Sequence, residues 1–255
     1  MFNPETPSLK VKSILVSQPK PETDKSPYFD LAKKYGIKID FRPFIKVDGV
    51  AARDFRRDKI NIPDFTAILF NSRNAIDHFF RICEELRLEM PAETKYFCIS
   101  ENIGVYVQKY IQMRKRKIFF GDGKMEDLIP YMLKHKTEKF LMPCSDVMRG
   151  GIIEEAAKNN IDIQQAIMFR TVSSDLSDLA DIKYDMLCFF SPSGIKSLYE
   201  NFPDFVQENT RIAGFGSQTH AAIVEHNLRL DLPAPTPTAP SMTMAIEEYV
   251  KKVNK

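Results

Sequence analysis

The sequence predicts an α/β protein: two parallel-sheet domains with helices on both faces, joined by a two-stranded linker, the first domain being discontinuous. Three observations carry this. Short apolar runs alternate with segments of helical periodicity along almost the whole chain, which is the pattern of a mostly parallel sheet. Two strand-turn-helix units about 120 residues apart share one design, Phe70-Asn71-Ser72-Arg73-Asn74-Ala75-Ile76 and Phe190-Ser191-Pro192-Ser193-Gly194-Ile195. Two extended segments, 38–45 and 163–171, lie directly after helices and bracket a block with its own strand-helix rhythm, as a chain must when it leaves one domain, builds a second and returns. The expected division is 1–40 with 172–255 for the first domain, 46–163 for the inserted one, and 41–45 with 164–171 for the linker.

Strands are expected at 13–16, 65–70, 96–99, 117–120, 140–142, 185–190 and 211–215, where apolar residues run together. Ser26-Pro27 supplies a cap and a first-turn proline for a helix carrying Tyr28, Leu31, Ala32 and Tyr35, and Gly36 ends it. Met125, Leu128, Ile129, Met132 and Leu133 form a second periodic face. Ile152, Ile153, Ala156 and Ala157 form a third, and Met244, Ala245, Tyr249 and Val250 a last. A strand runs through Gly216-Ser217-Gln218-Thr219 into a capped helix, and Ile99-Ser100-Glu101 occupies the matching place in the other half. Four prolines between Pro233 and Ser241 are poor strand or helix material, so a stiff surface loop is expected there.

Each serine turn follows an apolar run (Thr66-Ala67-Ile68-Leu69; Met186-Leu187-Cys188-Phe189). Each opens an amphipathic stretch (Ala75, Ile76, Phe79, Phe80, Cys83; Ile195, Leu198, Tyr199, Phe202). A serine so placed is a helix N-cap. The first N–H groups of the helix stay unpaired, and with the helix dipole behind them they suit a carboxylate or phosphate. One such turn alone is equally well an ordinary cap; its repetition in matching places favours two anion sites.

Composition sets the outer limits. The 255 residues are 44% hydrophobic and 27% charged with a net charge of +2, which suits two modest cores and gives no global pull toward nucleic acid. The basic run Arg114-Lys115-Arg116-Lys117 reads as a solvated turn. Cys83, Cys98, Cys144 and Cys188 have no CxxC spacing, so neither a disulfide nor a zinc site is expected, and reduced core thiols suit a cytoplasmic protein. The polar, proline-interrupted start and the absence of a long apolar run predict an unprocessed chain that does not enter a membrane. No GxGxxG or GxxxxGK[ST] occurs, and Ser17-Gln18-Pro19 follows the first strand where a phospho-accepting receiver needs acids; dehydrogenases, P-loop enzymes and receivers are set aside.

The order of Ile14-Leu15-Val16-Ser17-Gln18-Pro19, the Ser72 turn, the Phe169-Arg170-Thr171 connector, the Ser191-Pro192-Ser193 turn, the Gly216 to Ala221 turn and the Pro/Thr segment before the last helix resembles the uroporphyrinogen-III synthase family over nearly the whole chain. The resemblance implies two α/β domains of flavodoxin or Rossmann type around a cleft, and a cofactor-free, monomeric lyase of tetrapyrrole biosynthesis. Its substrate is hydroxymethylbilane, a linear tetrapyrrole with eight carboxylates, cyclised with loss of water and inversion of ring D through a spiro intermediate. The task implied is mainly to hold one geometry.

Residue by residue, the resemblance places Ser72, Arg73 and Asn74, and Ser191, Ser193 and Gly194, at the family's two serine turns as substrate-binding residues, with Gly216, Ser217 and Thr219 at its glycine-to-threonine turn. Ser17 and Gln18 stand where a threonine-arginine pair is more usual, Ser100 where glycine is, and Phe169 where tyrosine is often the candidate proton donor. Phenylalanine donates no proton, so no catalytic residue is assigned. These departures leave a second function open, a non-catalytic tetrapyrrole- or polycarboxylate-binding protein of the same fold. Of His78, His135, His220 and His226 only His220 adjoins a proposed site, and Asp146 with Arg149 follows the strand at 140–142.

Overall fold

The computed structural model describes residues 9–112, 116–147, 151–180 and 182–254. They form two compact units, one running up to Lys46 and resuming at Val172, the other Val47–Thr171. The chain opens with β1 (Ser13–Val16), α1 (Pro27–Tyr35), β2 (Lys38–Phe41), β3 (Ile45–Gly49) and α2 (Ala52–Phe55). It continues with β4 (Ala67–Phe70), α3 (Arg73–Leu86), β5 (Lys95–Cys98), α4 (Glu101–Val107), β6 (Ile118–Phe120), α5 (Ile129–Lys134), β7 (Phe140–Ser145), α6 (Gly151–Lys158) and β8 (Ile163–Ser173). It closes with β9 (Met186–Phe189), α7 (Pro192–Asn201), β10 (Arg211–Phe215), α8 (Ser217–Glu225), β11 (Leu232–Ala234) and α9 (Met242–Val253).

The first unit holds a five-stranded sheet in the order β11-β10-β9-β1-β2, parallel throughout. Its strands β1, β9 and β10 are buried on both faces, which is why they read as apolar runs. Period-two alternation divides them: Ile14, Val16, Met186, Cys188 and Ala213 pack toward Leu31 of α1 and Ile246, Tyr249 and Val250 of α9. Leu15, Leu187, Phe189 and Ile212 pack toward Ile195 and Leu198 of α7 and Ala222 and Ile223 of α8. The second unit holds a six-stranded sheet, β3-β8-β7-β4-β5-β6, with parallel pairing from β8 to β6. Ile68, Phe70, Tyr96 and Cys98 meet Ile76, Phe79, Ile82 and Cys83 of α3. Ala67, Leu69, Phe97 and Met142 meet Ile129 and Met132 of α5 and Ile152 and Ala156 of α6. No helix among the described residues is long and apolar enough to cross a membrane.

Several expectations need correction. The segment 38–45 is divided: β2 pairs in parallel with β1, while β3 begins at Ile45 and is the edge strand beside β8. The segment 163–171 lies within β8 and pairs with β7 over most of its length. Leu232–Ala234 is a strand despite Pro233; it lies at the sheet edge, where a missing N–H on the outer side costs nothing. Ser26 precedes α1 without a side-chain cap bond, whereas Gly36 ends it in the left-handed conformation, as its position requires. Met244 and Leu133 face outward, one residue off the buried stripes of α9 and α5. Arg114 and Lys115 lie outside the described residues, and Lys117 pairs with Glu93.

Phe97 is fully buried, 4.8 Å from the Phe119 ring and 5.2 Å from that of Phe140. Phe97→Ala is therefore expected to cost about 3–5 kcal/mol of unfolding free energy by urea titration; a loss below about 1 kcal/mol would show that this face of β5 is not a packed core.

Candidate functional site: the carboxyl-edge turns

Parallel pairing places the strand-to-helix turns of the parallel strands of a unit on one edge of its sheet. In the first unit β1, α1 and β2 run to one side while β9, β10 and β11 lie on the other, so the strand order reverses between β1 and β9. In the second unit β4, β5 and β6 run one way and β7 and β8 lie the other way, so it reverses between β4 and β7. At such a reversal the loops diverge and leave a crevice at the carboxyl ends of the strands. The Ser72 turn leaves β4 and the Ser191 turn leaves β9. Both reversals thus carry one of the repeated turns.

The two turns have the same geometry. Ser72 has φ −159° and ψ 161°, Ser191 φ −157° and ψ 156°. Their Oγ atoms accept from the N–H of the residue three further on, Ala75 at 3.2 Å and Gly194 at 3.3 Å. The serines are therefore true N-caps, and capping leaves the first N–H groups of each helix without an intrahelical partner. At α3 these belong to Arg73 and Asn74, both exposed. At α7 Pro192 has no N–H, so the Ser193 N–H and hydroxyl remain. A Cβ placed on Gly194 would lie 3.9 Å from both Ser17 Oγ and Ser191 Oγ. Ser17 after β1 and the start of α7 are accordingly one locus, with Gln18 exposed beside it.

The neighbouring turns are less open. Ser100 precedes α4 with φ −151° and ψ 164° but makes no side-chain cap bond. Gly216 precedes α8 with φ +87°, a backbone conformation that favours glycine. Ser217 is exposed there, but Thr219 is only 2% exposed because it falls on the inward face of α8. His220 directs Nε2 to the Gly214 carbonyl at 2.8 Å, which commits that nitrogen to the strand. Phe169 is 6% exposed in the α3-side core, stacked on His78 at 5.1 Å. Asp146 accepts the Thr171 N–H at 3.1 Å, and Arg149 lies outside the described residues. His135 packs against Phe97 and Phe119, and His226 caps the Ala222 carbonyl.

Two groups were not visible in the sequence. Arg42 follows β2, and its N–H donates to the Val16 carbonyl at 3.0 Å, so it sits beside the Ser17 turn. Its guanidinium donates to the Asp175 carbonyl and to Asp178. It lines a pocket of about 370 Å³ with Lys20, Asp40 and Tyr184. Tyr184 donates to Asp40 at 2.9 Å, and burial together with that bond pushes its phenol up to about 12. The second group joins α3 to α4: Tyr106 and Tyr110 both donate to Asp77. A larger cavity of about 450 Å³ lies toward the amino ends of β9 and β10, where Lys183 and Thr210 line it, away from the turns.

Chemically, the turns offer N–H groups, hydroxyls and nearby cations, and this donor set suits carboxylates. Burial pushes all four thiols up, Cys83 and Cys98 to about 12, so none is poised as a nucleophile. Among the described residues no cluster of His, Cys, Asp or Glu is placed to hold a metal.

His78 accepts from Arg81 Nε at 3.2 Å, and burial followed by the Arg81 charge holds its pKa below the ordinary 6.5. The unfolded chain therefore binds this proton more readily, and stability falls as pH drops through about 6.5. Burial pushes Asp77 up, but the Tyr110 and Tyr106 hydrogen bonds and Lys109 outweigh it and leave the carboxyl below its ordinary value. That contribution is lost only in more acid solution, below about pH 4. Thermal melts from pH 8 to 5 should show Tm falling across the upper window, and His78→Gln should flatten that slope; an unchanged slope in the variant would contradict the assignment.

Comparison with known proteins agrees with this geometry. The family model described as uroporphyrinogen-III synthase HemD matches residues 26–244. A uroporphyrinogen-III synthase of Chlorobaculum parvum is 24% identical over 257 residues, covering 94% of this chain and all of that one. The crystal structure of uroporphyrinogen-III synthetase from Helicobacter pylori has a TM-score of 0.61 at 16% identity, over 94% of this chain and 99% of the other. A mutant uroporphyrinogen III synthase from Thermus thermophilus has a TM-score of 0.54 at 12% identity, over 95% and 99%. At those identities the structures speak for the fold, a two-domain α/β one, while the model match spans most of the sequence. The chain belongs to the uroporphyrinogen-III synthase family.

Proposed function

We propose that the chain acts as a uroporphyrinogen-III synthase, a carbon-oxygen lyase of tetrapyrrole and haem biosynthesis that cyclises hydroxymethylbilane with loss of water and inversion of ring D. The observation that carries this reading is the pair of matched N-cap turns, one at the strand-order reversal of each unit, in a chain of this family. A substrate with eight carboxylates offers a partner to each of the two turns, and each turn serves as a carboxylate site of its own unit. The chain passes from one unit to the other within β3 and within β8, close to the two segments expected as the linker.

The turns position rather than transform the substrate. Cyclisation of a linear chain gains most from being held in one near-attack geometry. The loss of a tyrosine hydroxyl at Phe169 then removes one candidate donor without removing the binding frame. That same loss favours the second reading, a tetrapyrrole-binding protein without turnover.

Supplying freshly made hydroxymethylbilane to the purified protein and reading the isomer ratio after oxidation separates the two. The synthase reading expects the type III isomer in excess; type I alone, formed at the uncatalysed rate, overturns it. Ser72→Ala and Ser191→Ala should each raise KM about fivefold, the worth of one hydrogen bond of roughly 1 kcal/mol, with turnover retained because the backbone N–H groups remain. Complete loss from either alanine would mean that the serine takes part in the chemistry.

A further inference from the structure

Arg73 is the first helical residue of α3 and is exposed. Its guanidinium lies 5.0 Å over the Tyr106 ring of α4 and, among the described residues, makes no ion pair. Asp77 stands four residues further on the same helix face, within reach of an i,i+4 pair with Arg73. Asp77 is already occupied. The Tyr106 hydroxyl donates to both of its carboxylate oxygens at 3.0 Å, Tyr110 donates at 2.5 Å, and Lys109 Nζ approaches at 3.4 Å. Tyr110 is itself clamped by stacking on Phe80, with ring centroids 4.5 Å apart and planes 7° from parallel.

We infer that Tyr106 is a positioning residue for substrate binding: its ring holds the Arg73 guanidinium beside the Ser72 turn with its donors outward, while its hydroxyl helps to occupy the Asp77 carboxylate that would otherwise capture Arg73. The ligand chemistry follows from the donors. A planar guanidinium with free N–H groups, next to the exposed backbone N–H groups of Arg73 and Asn74, takes a carboxylate in a two-point contact. Stacking limits the rotamers of a flexible side chain, so the arginine is partly ordered before substrate arrives. The contact is made before and throughout the reaction, so it contributes to KM and leaves kcat alone.

This inference rests on the synthase reading only for its assay. Kinetics of wild type, Arg73→Gln, Tyr106→Leu and the double variant with hydroxymethylbilane form a cycle. An exposed cation-π contact corresponds to about a two- to fivefold effect, so Tyr106→Leu should raise KM by that factor with kcat unchanged. In the Arg73→Gln background the same change should raise KM no further, since its only route to substrate is gone. Tyr106→Phe keeps the ring and loses only the hydroxyl's hold on Asp77, so its KM should rise by less than that of Tyr106→Leu. Equal losses in both backgrounds, or a fall in kcat with KM unchanged, would reduce Tyr106 to a packing residue and overturn the inference. If Tyr106→Leu fails to fold, Tyr106→Phe combined with Asp77→Asn in the same cycle still tests it: any KM rise in Tyr106→Phe should be reversed by Asp77→Asn, and a rise that persists contradicts it. Should wild type produce no type III isomer, the synthase reading fails instead, and titration of the same variants with uroporphyrin decides the positioning role.

Discussion

Parallel strand pairing is the constraint on which the rest of the molecule depends. Where neighbouring strands run the same way, their turns from strand to helix leave by the same edge, and the amino ends of the following helices gather there. Each helix brings unpaired N–H groups and the positive end of its dipole. The sheet thus makes an anion-binding edge as a by-product of its topology. Two further facts turn that general property into a site. The reversal of strand order opens a crevice at one place in each unit, and a capping serine in the same conformation holds the turn at both.

The same constraint explains which residues are buried. Strands covered on both faces must be apolar on both, as in the four consecutive buried residues of β4 and β9. Helices α1 and α9 then cover one face of the first sheet and α7 and α8 the other. Buried charged groups of the first unit are bonded: Arg211 reaches Tyr249, and Asp231 accepts from Gln207 and Ile212. Such satisfaction is what makes buried charge tolerable.

What could be read from the sequence follows the range of the physics. Strands β1, β4, β9 and β10 were legible because burial on both faces writes itself as a local apolar run, and Ser72 and Ser191 because capping is decided within four residues. The edge strand β3 was not, since Lys46 and Asp48 face outward and leave no apolar signature. β8 alternates polar and apolar residues and reads as a connector, although its ladder with β7 is long. At the site, Thr219 and Phe169 were placed by analogy of position, but the helix phase of α8 and the face of β8 turn them inward. Arg42 and the Tyr106-Asp77-Tyr110 group were invisible because each depends on a tertiary neighbour: β2 beside β1, and α4 against α3.

The central claim is that the matched turn of each unit binds a carboxylate. Backbone amide NMR during a titration with uroporphyrin tests it most directly, because the Arg73, Asn74 and Ser193 amides report each turn separately. Carboxylate binding at the turns should shift all three amides saturably. An amide of either turn that stays unshifted at saturating ligand would contradict it.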